Sequence, residues 1–480
     1  MAHLGTRAST ATKDTTVPQF DVVVLGGGTA GENTATALAT AGRRVALVEQ
    51  HRVGGECPFT ACMPSKAMLR SGEVRHLLGR ARELGTMMDS VTPVRPDKGF
   101  AQAVRRRDEL VDHRNDAQHA DSVAEAGVAL FRAHATVIEP GVVDAGDQRL
   151  EYDELVIATG AADIRPPIEG LDQAPTWTSA DAWSAQSRPE SLLIIGGGPV
   201  GCEIAQLYAR FDVAVTIVEA SDQLASGEAS EVAELLQTLL TVEGVEVITG
   251  AESTRVATRD GHATVHLDNG TSVDAARVVV ATGVEPRLDG LGLERLGLDV
   301  SDGIAIDDRC RVIGADHVWA AGDVTMVAPF THVANYQARI VSDNLLGGRA
   351  RADYRAIPRC IYTDPPVVGV GTTIEQATGE LEQVVIGRAD LSDLPRTNAS
   401  GSNGGQLVLV ADGDQKVLVG ASAIGPMADA WIHEAVLAVR ARVPLAILRD
   451  TIHAFPTFAE AYDVALSDIA GQLRGRSSHT

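Results

Sequence analysis

The chain has 480 residues, 45% hydrophobic and 22% charged, which supplies apolar material for two to four cores rather than one. A formal net charge of −23 repels phosphate backbones and anionic lipid, which disfavours a nucleic-acid or membrane-surface function. No stretch approaches the roughly 20 apolar residues that span a bilayer, so the sequence reads as a cytoplasmic protein with no membrane partner.

Residues 1–18 are rich in Thr, Ala and Ser and lack the apolar middle of a signal peptide, so a disordered tail is expected. An apolar run over 20–25 leads into Gly26, Gly28 and Gly31, spaced G-x-G-x-x-G. A small-residue helix over 30–41 and a second strand over 44–49 follow. In such a unit the first glycine permits a tight turn and the second admits a pyrophosphate. The third lets helix and strand close on each other. The helix N-terminus then offers N–H groups to phosphate. Glu49, 23 residues beyond Gly26, is placed to accept hydrogen bonds from ribose hydroxyls.

From Gly54 the sequence reads G-G-E-C-P-F-T-A-C-M-P-S-K, with four residues between Cys57 and Cys62. Five cysteines in so long a chain do not make a structural disulfide framework. In a reducing compartment a close pair points instead to catalytic or metal chemistry. Cys202, Cys310 and Cys360 have no partner signal and read as small buried residues. Lys66, at the end of the segment, is one of only four lysines, so its position is informative. Helical spacing follows over 73–85 and 100–127. A buried strand then ends in V-I-A-T-G, closing on Thr159 and Gly160.

The opening unit recurs as a strand over 192–195, Gly196, Gly198 and Gly201, a helix over 200–211 and a strand over 213–219 that ends at Glu219. A second V-A-T-G closes on Gly283. One glycine pattern is weak, because glycines punctuate many turns. Two in the right context, each with its acidic partner, mark two dinucleotide sites. A carboxylate at Glu219 repels a 2′-phosphate and no Arg follows it closely, so NADH is favoured over NADPH unless Arg255 or Arg259 folds back. Near the end, residues 406–410 and 415–421 read as a hairpin turning near Asp412 and Gly413, and 428–440 and 444–452 as helices.

Taken together, these features resemble the pyridine nucleotide–disulfide oxidoreductases of the glutathione reductase, lipoamide dehydrogenase and mercuric reductase type. The match runs over nearly the whole chain from Phe20. It rests on the C-x-x-x-x-C with P-S-K, both cradles, both A-T-G turns and Ala321-Gly322-Asp323. It also includes Tyr362-Thr363-Asp364-Pro365 and a late P-T-x-x-E. The resemblance implies an α/β fold with two Rossmann-like dinucleotide-binding domains, one inserted in the other, and a C-terminal α+β dimerisation domain. The implied boundaries are 19–165 with 286–350 for FAD, 166–285 for NAD(P) and 351–480 for a homodimer interface. The implied cofactors are FAD and NADH or NADPH, with no resident metal.

Residue by residue, the resemblance implies that Cys57 is the outer thiol that meets the acceptor. Cys62 would be the charge-transfer thiolate against the flavin. Lys66 would lie near flavin N5, paired with Glu203. Asp323 would bind the ribitol chain and Ala135 would contact the adenine side through its backbone, with Thr159, Gly160 and Gly283 joining the cofactor-binding set. A helix opening near residue 331 would aim its positive end at the flavin C2 carbonyl. A cysteine near a cation and a helix N-terminus has a lowered pKa, which supplies the reactive thiolate.

One element departs from the family. Its disulfide reductases end in H-P-T-x-x-E, where the histidine is the exchange base, the glutamate orients it, and the pair reaches the other subunit's site. Here residues 453–460 read H-A-F-P-T-F-A-E: Phe455 holds the base position, Glu460 remains, and His453 comes two residues early. Phenylalanine has no proton to exchange, and a general base is worth ~10²–10⁴ in rate. The departure leaves three readings: an acceptor that needs no base (a quinone, a metal ion, oxygen or a small electrophile), a small disulfide reduced with an unusual base, or a flavoprotein redox sensor that acts on a partner. Mercuric reductases carry a C-terminal cysteine pair and an N-terminal metal-binding cysteine motif that this sequence lacks. Pro199 lies where some members place an aromatic gate over the nicotinamide.

Overall fold

The computed structural model describes residues 17–87, 93–300 and 303–477, and the expected tail up to residue 16 lies outside them. Among the described residues no helix is long and apolar enough to cross a membrane. The chain forms two compact units. The first holds the described residues up to Gly55 together with 116–160 and 286–352, and the second holds 56–115, 161–285 and 353 onward.

The first unit is built on a sheet in which Ala129–Phe131, Val45–Val48, Gln19–Leu25 and Gln148–Ile157 run parallel in that order. Val318–Ala320 also joins Gln148–Ile157 in parallel, and Val142–Ala145 and Ala135–Glu139 extend the sheet antiparallel. Residues Val22 to Leu25 are at most 2% exposed, as a central parallel strand covered on both faces must be. Helix Thr29–Thr40 buries Ala30, Gly31, Thr34, Ala35 and Leu38, a small-residue stripe at helical spacing that lets it lie close. It packs beside helix Thr331–Leu345.

The second unit repeats the plan. Glu246–Ile248, Ala214–Val218, Ser191–Ile195, Arg277–Val280 and Thr176–Trp177 form a parallel sheet in that order. Its C-terminal part is a five-stranded antiparallel sheet ordered Pro358–Ile361, Val367–Gly371, Val417–Ile424, Gln406–Asp412 and Val384–Asp390. Helix Ala461–Ser477 lies on this sheet, close enough that a Cβ on Gly387 would sit 2.2 Å from the Ala465 carbonyl oxygen.

Several local expectations change. The helix expected over 73–85 starts much earlier, as Cys62–Gly79, because Pro64 sits in its first turn, where a missing N–H costs nothing. The helix expected over 100–127 breaks into Pro96–Leu110 and Ala117–Glu125, since Asp112, His113 and Arg114 turn the chain with positive φ. The helix expected over 428–440 divides into Ala428–Trp431 and His433–Ala441, while that over 444–452 shortens to Leu445–Arg449. The hairpin turns where expected, between strands Gln406–Asp412 and Val417–Ile424. Residues 56–115 group with the second unit rather than with the first cradle, because helix Cys62–Gly79 packs on helix Pro199–Arg210. There Gly72 faces Leu207, and Arg75 Nε donates to the Arg210 carbonyl at 2.7 Å.

Candidate active site

The two cradles are built alike. Leu25 pairs with Ile157, so the next residue, Gly26, turns beside Ala158 with φ +95°. A Cβ on Gly26 would lie 2.4 Å from the Ala158 carbonyl oxygen, and one on Gly31 would lie 1.8 Å from the Gly26 oxygen. In the second unit Ile195 pairs with Val280, Gly196 turns beside Ala281, and the matching distances for Gly196 and Gly201 are 2.4 and 2.0 Å. Neither helix is capped by a side chain, since Gly28 and Gly198 hold the cap positions. The first-turn N–H groups therefore have no intrahelical partner. No heavy atom lies within 4 Å of a Cβ on Gly198 or Gly160, which leaves room beside the turns. Both cradles fit the pyrophosphate of a dinucleotide.

Each acidic partner does a job that the spacing alone did not disclose. Glu49 Oε2 accepts the Gly27 N–H at 2.6 Å and its Oε1 accepts from His51 N–H. Glu219 Oε2 accepts the Gly197 N–H at 2.6 Å and its Oε1 accepts from Ser221 N–H at 2.8 Å. Both carboxylates therefore brace their turns. Cys202 adds a further brace, its thiol donating to the Gly197 carbonyl at 3.3 Å. Burial pushes this thiol far up, so it stays protonated.

In the first unit, Ala135 opens a sheet strand and is 6% exposed. Thr159 Oγ1 donates to the Arg287 carbonyl at 2.7 Å. Asp323 opens a short 3-10 turn, Asp323–Thr325, and is half-buried. Buried Gln337 fixes this turn, with its Oε1 accepting the Gly322 N–H at 2.7 Å.

The cysteine segment belongs to the second unit. The N–H groups of Thr60 and Ala61 donate to the Glu56 carbonyl at 2.8 and 2.9 Å, and Met63 N–H donates to the Cys57 carbonyl at 2.9 Å. The loop thus closes on itself between the two thiols, with Phe59 buried beneath it. Cys62 is the first residue of helix Cys62–Gly79, and both cysteines are half-buried. Lys66, four residues on, shares the face of Cys62. Its Nζ lies 3.0 and 3.2 Å from the two carboxylate oxygens of Glu203. Glu203 Oε1 also accepts the Tyr362 N–H at 2.9 Å, and Lys66 Nζ stands 4.4 Å from the centre of the Tyr362 ring.

The sequence reading did not assign roles to Tyr362, Gln206 or Arg210. Gln206 Oε1 accepts the Asp364 N–H at 2.8 Å, and Arg210 bridges Glu243 at 2.8 Å and Asp364 at 3.0 Å. The signal was present: Glu203, Gln206 and Arg210 form a buried polar stripe at i, i+3 and i+7 on an apolar helix. Cys360, half-buried two residues before Tyr362, has its thiol pushed up to about 12, by burial first and then by the charge of Asp429, so it is a poor nucleophile.

The altered C-terminal element is also in the second unit. Phe455 is 73% exposed. His453, whose side chain is 6% exposed, is held by both ring nitrogens: Nδ1 lies 3.0 Å from Asp463 and Nε2 lies 3.1 Å from Glu434. Its ring stacks on Tyr462. Glu460 Oε2 accepts the Thr457 N–H at 2.9 Å, so it caps its own short turn. Among the described residues no group of three or more His, Cys, Asp or Glu side chains is arranged to hold a metal ion.

The chain resembles known proteins over most of its length. A family model described as pyridine nucleotide-disulphide oxidoreductase matches residues 20–338, and the family's dimerisation domain matches 357–466. The chain is 32% identical over 467 residues to a mercuric reductase of Streptomyces lividans, covering 94% of this chain and 97% of that one. It is 32% identical over 453 residues to a dihydrolipoyl dehydrogenase of Chlorobaculum parvum, covering 92% and 95%. Among solved structures, the Cu(II) complex of the HOCl-induced flavoprotein disulfide reductase RclA from Escherichia coli superposes with a TM-score of 0.82 at 28% identity, covering 93% of this chain and 99% of that one.

Proposed function

The chain belongs to the pyridine nucleotide–disulphide oxidoreductase family of flavin-dependent enzymes, and we propose that it moves electrons from NAD(P)H through FAD to a Cys57–Cys62 redox disulfide and on to an acceptor that needs no histidine base. The observation that carries the last step is the C-terminal element. Phe455 occupies the base position, and both nitrogens of His453 are engaged by Glu434 and Asp463.

When bound, FAD supplies hydride acceptance from the nicotinamide and delivery of the electron pair to a disulfide. The residues of the chain do the rest. Gly26, Gly28 and Gly31 hold the flavin's pyrophosphate on the helix Thr29–Thr40, with Glu49 at the ribose, Asp323 at the ribitol, and Ala135, Thr159 and Gly160 along the nucleotide. Gly196, Gly198 and Gly201 hold the nicotinamide dinucleotide, with Gly283 beside them. The carboxylate of Glu219 favours NADH. Lys66, paired to Glu203, places a positive charge by the flavin. Cys62 keeps its thiolate toward the ring, while Cys57 meets the acceptor. Residues 351–480 form the interface of a homodimer, in which Phe455 gives the acceptor site an apolar, proton-free wall.

Metal ions stand among the acceptors, since the Streptomyces lividans relative is a mercuric reductase and the RclA relative is a Cu(II) complex. Quinones, oxygen and small electrophiles stand beside them. The dihydrolipoyl dehydrogenase relative favours a second reading, reduction of a small disulfide. FAD-loaded protein should oxidise NADH with Cu(II), Hg(II) or quinone at least ~10²-fold faster than with lipoamide or glutathione disulfide. Comparable turnover of those disulfides by the unmodified chain would overturn the proposal. Phe455→His should raise disulfide turnover selectively.

A further inference from the structure

Lys66 is held from two sides. The two oxygens of Glu203 take its ammonium at 3.0 and 3.2 Å, and the ring of Tyr362 lies 4.4 Å from Nζ. The backbone N–H of Tyr362 also reaches Glu203 Oε1 at 2.9 Å. One residue therefore touches both members of the ion pair. The backbone of Tyr362 is itself fixed: it follows strand Pro358–Ile361 directly and precedes Asp364, which Gln206 and Arg210 grip. The Lys66 side chain is 37% exposed against 5% for Glu203, so the ammonium is the member that opens outward. A half-exposed lysine keeps much of its rotamer freedom when one carboxylate is its only partner. An aromatic face adds attraction from a second direction. Partial burial pushes the phenol up to about 12, with Cys360 adding to the shift, while the residue keeps 42% of its surface exposed.

We infer that Tyr362 is a positioning residue for the flavin-side cation: its ring, not its hydroxyl, holds Lys66 in the one rotamer over Glu203 that presents the charge to the flavin. This rests on the reading that Lys66 faces the flavin. A cation fixed there favours the negative charge of the reduced ring, so freeing it should lower the flavin midpoint potential.

The test uses the full FAD-loaded chain, labelled with ¹³Cε-lysine. Only four lysines are present, so the spectrum is sparse. The Lys66 ε-methylene should be shifted upfield by the ring. Tyr362→Phe should keep both that shift and the midpoint potential. Tyr362→Leu should lose the shift, lower the potential, and slow flavin reduction by subsaturating NADH by about two- to fivefold. The inference is overturned if Tyr362→Leu leaves the lysine line and the potential in place, or if Tyr362→Phe changes them as much as Tyr362→Leu does. Lys66→Met, titrated in the same way, reads the premise alone. An unchanged potential there means that Lys66 does not face the flavin, whatever holds it.

Discussion

Replacing His453 by glutamine separates a base from an anchor. The Nε2 contact joins a 6%-exposed ring to Glu434, whose side chain is 27% exposed, and is worth about 1–2 kcal/mol. The Nδ1 contact ends on Asp463, 49% exposed, and contributes under about 1 kcal/mol. Losing the stack on Tyr462, with ring centres 6.1 Å apart, adds about 0.5–1 kcal/mol. A loss of about 2–3 kcal/mol lowers the thermal midpoint by roughly 5 °C. Burial opposes the imidazolium, but the hydrogen bond and charge of Glu434, helped by Asp463, outweigh it and raise the pKa above 6.5. A raised folded-state value gives stabilisation that is fully present below the unfolded value and is lost as pH rises through the folded one. The gap in midpoint between the unmodified chain and His453→Gln should therefore be widest near pH 6 and narrow as pH rises, down to the part that the lost stacking carries, as read by differential scanning fluorimetry. NADH oxidation with a metal or quinone acceptor should change less than about threefold. A ~10²-fold loss of turnover with an unchanged thermal midpoint would mean that His453 is the base and that the anchor argument is wrong.

Other substitutions probe the cradles. Gly31→Ala drives a methyl to 1.8 Å from the Gly26 oxygen, so the purified protein should lose its flavin absorbance; near-stoichiometric FAD would contradict the assignment. Gly201→Ala should keep the yellow colour but lose NADH binding, because the same clash falls in the second unit, 2.0 Å from the Gly196 oxygen. Glu219→Ala removes both the repulsion of a 2′-phosphate and the brace on Gly197. kcat/KM for NADH should fall about tenfold while that for NADPH falls less or rises. A proportional fall for both dinucleotides would show that Glu219 acts only as a brace.

What could be read from the sequence was what local sterics and chemistry encode. Gly26, Gly31, Gly196 and Gly201 are glycines because a neighbouring backbone oxygen leaves no room for Cβ, and their spacing carries that need along the chain. The P-S-K after the second cysteine was equally local. The family comparison bears out the α/β architecture and the oxidoreductase class. Long-range partnerships were not legible. His453 takes its partners from Glu434, 19 residues before it, and Asp463, 10 residues after it. Tyr362 meets Glu203 across 159 residues. Helical periodicity over 100–127 also hid a break, because nothing in residue type forces Asp112, His113 and Arg114 to positive φ. Gln337, a buried clamp on the Asp323 turn, looked like any glutamine on a helix.

The proposed route carries reducing equivalents from the nicotinamide to Cys62. Anaerobic titration of the FAD-loaded protein with NADH tests it directly. The unmodified chain should develop a long-wavelength thiolate-to-flavin absorbance on reduction, and Cys62→Ser should reduce its flavin without that band. If the band survives in Cys62→Ser, the route from flavin to the cysteine pair is wrong.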